Sequence, residues 1–172
     1  MMSREFRYGL IAGFITLLWM AFGYWMGWDK TEMGTYAPFL SMFILIVAIY
    51  ISILFKRDKD LGGAITFGNA FITGVSVSFV IGLMVGAFLV IYVEYINPDI
   101  VNEVAKQAED YYKTQKGVTQ DEINNAVNGA KALYSPFGQF TYGIGTTMLT
   151  GGLISLLCAA VMKRQEKLEV RS

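Results

Sequence analysis

From Phe67 to Tyr95 the chain carries a small residue at every fourth position: Ala70, Gly74, Ser78, Gly82 and Gly86. A helix with that spacing lines its small side chains along one slanting ridge, against which another backbone can come close. Phe71, Val75, Phe79, Leu83 and Phe88 fall off the ridge and supply bulk for lipid or for other helices. The stretch is predominantly apolar and exceeds the roughly 20 residues needed to cross a bilayer. The ridge reads as a helix-packing seam; a ligand-lining groove is the sharper alternative. Either way, the rest of the chain has to be arranged around a membrane-spanning helix.

Three further apolar runs accompany it. The first, Tyr8 to Trp28, follows Arg4 and Arg7 but is too long for a signal h-region and lacks an Ala-x-Ala site, so it reads as a retained helix. It carries Gly9/Gly13 and Gly23/Gly27 pairs, and Phe22, Tyr24, Trp25 and Trp28 cluster at its far end as an interfacial belt would. After a loop from Asp29 to Ala37, Pro38 suits the first position of a second helix, whose run from Phe39 to Phe55 has no glycine. Most of the chain's 18 glycines lie in the other three runs, so this helix is expected to be the peripheral, lipid-facing one. The last run, Phe137 to Met162, has its own small-residue ridge at Thr147, Gly151, Ser155 and Ala159. With 54% hydrophobic residues and a mean hydropathy of +0.44, the whole chain is too apolar for an ordinary soluble domain.

One long polar segment interrupts this pattern, from Asn97 to Pro136. Asn97-Pro98 reads as a cap with proline opening the next helix. Ile100, Val101, Val104, Ala105, Ala108, Tyr111 and Tyr112 project within an arc of roughly 140°, opposite a charged face. Gly117 is expected at the C′ position, and Thr119 with Glu122 has capping-box spacing ahead of a second stripe, Ile123, Ala126, Val127, Ala130 and Tyr134. The segment is thus an amphipathic helical hairpin whose apolar faces cover each other, the membrane surface or a partner. Its four lysines against six carboxylates do not make a polybasic lipid-binding surface.

Placing both termini in the cytoplasm puts nine of the 14 basic residues inside and five outside, four of those five in the hairpin. The fold class expected is therefore an all-α integral membrane protein, a single domain over residues 1–172. Its transmembrane helices are placed at 8–28, 38–55, 67–95 and 137–162, and its extracytoplasmic hairpin at 97–136.

Chemistry is scarce. The chain has no histidine, and its one cysteine, Cys158, lies in an apolar run where a thiol is normally inert packing. Net charge is zero, which offers nothing to nucleic acid. The adjacent acidic pairs, Glu109/Asp110 and Asp121/Glu122, sit on solvated faces and make a poor divalent site. No ionisable residue lies in the middle of an apolar run; Glu94 falls near an interface. That weighs against ion-coupled transport, which usually keeps such a group at depth. A polar path would have to use Asn69, Thr73, Ser76, Gln139, Thr146, Thr147 and Thr150. No catalytic set, cofactor or metal is expected.

The segments RYGLIAG, ITFGNAFITG, YINPD and SPFGQF, together with the charged hairpin, resemble domain-of-unknown-function family 4199, a bacterial membrane family frequent in Bacteroidota. The resemblance covers nearly the whole chain. It implies a four-helix protein of the bacterial inner membrane and brings no activity or catalytic residues with it. The expected role is non-enzymatic: self-association or partner binding through the face Ile100, Val101, Val104, Ala108, Tyr111 and Tyr112. A small-molecule transporter or channel subunit acting as an oligomer is the alternative. Membrane lipid, a second copy or an extracytoplasmic protein are the partners expected.

Overall fold

The computed structural model describes residues 4–28 and 31–163. Every regular element among them is helical: α1 (Arg4–Trp25), α2 (Met33–Phe55), α3 (Phe67–Ile91), α4 (Ile100–Lys113), α5 (Gln120–Leu133) and α6 (Pro136–Met162). Four of them, α1, α2, α3 and α6, are long and apolar enough to cross a membrane. The basic tail residues Arg164, Lys167 and Arg171, and Lys30 in the first loop, lie outside the described residues.

Contacts divide the chain into two compact units. The first comprises residues up to Met84 and from Gly145 onward; the second is Val85–Ile144.

In the first unit, α1 and α2 lie side by side and antiparallel. Near one end Tyr8 stacks on Phe55 at 5.5 Å, and near the other Trp19 Nε1 donates to the Ala37 carbonyl at 3.0 Å. α1 stops at Trp25 rather than Trp28, because Gly27 takes a left-handed turn (φ +69°) that few side chains tolerate. Trp28 then folds back onto Trp19 and Phe22, with ring centroids 5.0 and 5.5 Å away. Its indole covers Gly23 so closely that a Cβ there would lie 3.1 Å from the ring. The Gly23/Gly27 pair therefore makes room for a tryptophan and a turn.

α2 begins at Met33, so Pro38 lies inside the helix and not at its first position. Proline removes one backbone donor, here the bond to the Gly34 carbonyl. So near an exposed helix end that loss is tolerable. α2 continues past Phe55 into a wider turn, Lys56–Asp60, where Leu61 N bonds to Lys56 O at 3.2 Å. Gly62 and Gly63, both with positive φ, then turn the chain into α3.

α1 runs alongside α3 with Gly9 against Val80 and Gly13 against Met84. α3 and α6 are antiparallel: Gly74 faces Ser155, and Ser78 faces Gly151. Ile49 of α2 reaches both glycines. α2, expected to be peripheral, turns one face inward at the fully buried Ile49 and Ile53, while most of its large apolar residues, among them Phe39, Phe43, Ile46 and Tyr50, are exposed. The physical reason is that glycine ridges form grooves, and a groove is filled by a large side chain from a helix that has no glycine itself.

In the second unit, α3 ends in a wide turn, Tyr92–Ile96, closed by Asn97 N bonding to Tyr92 O at 2.8 Å. α4 starts at Ile100 with Asp99 as its N-cap, two residues beyond Pro98, so the proline precedes the helix instead of opening it. α4 ends at Lys113, so Gly117, with φ +85°, shapes the following loop and is not the C′ residue. α5 opens with a complete capping box: Thr119 Oγ1 accepts from Glu122 N, while Glu122 accepts from Thr119 N at 2.8 Å. α4 and α5 pack on each other. Ser135 starts α6 by accepting from Gly138 N at 3.1 Å.

Candidate functional site

All five residues of the α3 ridge, Ala70, Gly74, Ser78, Gly82 and Gly86, are buried. On α6, Gly151, Ser155 and Ala159 are buried and Thr147 is half-buried. In the first unit the ridges interlock as glycine against serine, twice. A Cβ on Gly74 would collide with Ser155 Oγ, and one on Gly151 with Ser78 Oγ. Both hydroxyls are used within their own helices: Ser78 Oγ donates to Gly74 O at 2.8 Å and Ser155 Oγ to Gly151 O at 2.6 Å. In the second unit Gly86 and Gly143 meet backbone to backbone, and a Cβ on Gly86 would lie 2.7 Å from the Phe140 carbonyl oxygen. At these positions the helices touch, leaving no space between them for a ligand.

The polar residues proposed as a path lining are scattered. Thr73 donates to Asn69 O at 2.8 Å and Gln139 to Leu133 O at 3.1 Å. Asn69, Ser76 and Thr146 are exposed, while Thr147 and Thr150 are half-buried. Among the described residues no buried side-chain nitrogen or oxygen lacks a hydrogen-bond partner.

One charged contact has no sequence signal. Glu5, in the first turn of α1, accepts an ion pair from Lys56, just past α2, at 2.7 Å. Lys56 also lies 3.6 Å from Asp60. Each partner stands where the helix dipole favours it, a carboxylate at an N-terminus and an ammonium at a C-terminus. Their pairing follows from the antiparallel docking of α1 on α2, which periodicity within either helix cannot report.

Beside Glu5 an open cleft of about 420 Å³ lies between α1, α3 and α6. Glu5, Phe6, Val75, Ser76, Phe79, Val80 and Met148 line it. Glu5 thus lines the same cleft as Ser76 of α3. A carboxylate that precedes the first apolar run in sequence is brought beside the apolar body of another helix.

On α4, Ala105 is buried, and Ile100, Val101, Val104, Ala108 and Tyr112 are half-buried. Tyr111 is 62% exposed and meets the Tyr112 ring edge-on at 5.6 Å. Ile123 is the buried residue of α5, and Leu133 is exposed. Lys113 hydrogen-bonds Glu109 at 2.5 Å and holds that carboxylate below the usual range. The backbone N–H and hydroxyl of Thr119 lower Glu122 in the same sense.

A family model described as a protein of unknown function, DUF4199, matches residues 7–164. The chain belongs to that family. No curated protein and no solved structure matches it. DUF4199 membership thus joins the architecture, four membrane-length helices with two amphipathic ones before the last, to a family without an assigned activity.

Proposed function

We propose that this DUF4199 chain is a non-enzymatic, multi-pass protein of the bacterial inner membrane. Both termini are cytoplasmic, and the α4–α5 hairpin outside serves assembly or partner binding. The observation that carries this reading is the interlock of Gly74 with Ser155 and Ser78 with Gly151. A seam with its hydroxyls bonded back to their own helices supports a structural scaffold over a conduit. In α4 and α5 the apolar faces pack together and leave Tyr111 outward, an aromatic anchor of the kind interfaces favour.

The test is site-specific photo-crosslinking in native membranes with the photoreactive residue at position 111. A discrete adduct, to a second copy or to another protein, is expected. Adducts to lipid alone, or none, would overturn the interaction role.

A further inference from the structure

We propose that the uncovered face of α6 pairs in parallel with the same face of a second copy, through a seam of Leu149, Leu153, Leu156 and Ala160. These residues follow one another at spacings of four, three and four. That alternation keeps a line of side chains turned toward a neighbouring helix as two helices wind round each other. All four are exposed, Leu149 by 74% and Leu153 by 67%, while Gly151, Ser155 and Ala159 form the buried inner face of α6.

Exposure by itself suits lipid; the glycines beside the leucines point to a helix. Gly145 and Gly152, seven residues apart, flank the seam, and nothing in the chain lies within 4 Å of a Cβ at either. Gly74, Gly86, Gly143 and Gly151, by contrast, each have a neighbouring helix in the space a side chain would need. Glycine inside a helix weakens it relative to alanine, so two that admit nothing within the chain leave room for a backbone from outside it. Lipid chains ask for no such room. The exposed faces of α1 and α2 carry bulk instead, with Phe14, Leu18, Phe39 and Phe43.

The occupant is a second copy because the seam is uncharged and self-complementary. Every copy inserts the same way round, so two α6 helices meet in parallel about a two-fold axis along the membrane normal, each seam residue facing its counterpart. From Gly145 to Ala160 the seam runs about 24 Å at 1.5 Å per residue, most of the roughly 30 Å hydrocarbon core. Such a strip is narrower than soluble complexes use, at about 800 Å² per partner. In lipid a single seam with small residues at the contact is enough to hold two helices together.

The experiment is disulfide cross-linking of the full chain in native membranes, with Cys158→Ala removing the native thiol. Leu149→Cys, Leu153→Cys and Leu156→Cys each bring a thiol to its counterpart across the axis. Each should give a covalent dimer at roughly ten times the yield of Phe43→Cys, on the exposed face of α2. Adding Gly145→Leu or Gly152→Leu to Leu153→Cys should lower that yield several-fold by holding the helices apart. Neither should change the thermal unfolding of the solubilised monomer, since the space at both positions is open. Yields at the three leucines no higher than at Phe43→Cys would overturn the proposal. So would an undiminished yield in both glycine variants, or cross-linking only to a different protein. Should the cysteine variants fail to fold, native mass spectrometry of the wild type from mild detergent decides. A chain found only as monomer overturns the seam, and a dimer that Gly152→Leu dissociates upholds it. The seam uses no hairpin residue, so cross-linking from position 111 reads the hairpin's role separately.

Discussion

Ser78 on α3 and Gly151 on α6 are so close that the serine hydroxyl occupies the space a side chain at position 151 would need. The reverse arrangement holds one turn away, where Gly74 accommodates Ser155. Helices in lipid gain little from hiding apolar surface from one another, so association rests on this kind of close van der Waals approach.

The interlock predicts a compensated pair of substitutions. Gly74→Ala should destabilise the protein by about 1–3 kcal/mol, as overpacking does in close-packed interiors. Ser155→Gly in the same chain should restore much of it by removing the atom struck. Thermal unfolding in detergent checks this through the double-mutant cycle, with Gly68→Ala as control, since nothing lies within 4 Å of a Cβ there. Additive losses from the two substitutions would mean that the ridges do not interlock.

Ile49 should matter far more than its neighbour Ile46. Ile49 is fully buried and its Cγ2 comes within 3.0 Å of a Cβ placed on Gly74, whereas Ile46 is exposed. Ile49→Ala should cost about 2–5 kcal/mol, the usual range for emptying a packed site. Ile46→Ala should cost only a small fraction of that in the same melting experiment.

The capping box predicts a pH dependence confined to the start of α5. The Thr119 backbone N–H, and then its hydroxyl, hydrogen-bond the Glu122 carboxylate and lower its pKa when folded. A depressed carboxylate contributes stability that is complete above its unfolded pKa and is lost as pH falls through the folded value. Protection against hydrogen exchange at the first turn of α5, taken relative to the intrinsic rate at each pH, should therefore fall on acidification below the usual carboxylate range. In Glu122→Gln protection should start lower and show no such step.

Topology has its own test. Alkaline phosphatase inserted within Thr114–Val118 should be active, and fused after Lys167 inactive, in keeping with the nine-to-five basic bias. The opposite pattern would reverse the orientation.

What the sequence by itself determined is what short-range periodicity and spacing can encode. Apolar runs of membrane length mark the four long helices, four-residue spacing marks the two small ridges, and Thr119 with Glu122 marks a helix start. Each depends only on residues a turn or two apart on one helix. Tertiary structure alone decided which surfaces meet. It set Ile49, from a glycine-free run, between two glycines, and brought Glu5 to Lys56 and to the flank of α3. Those pairings depend on the register and handedness with which whole helices dock. That register emerges from many contacts of about 0.1–0.2 kcal/mol each, none of which leaves a mark in the local sequence.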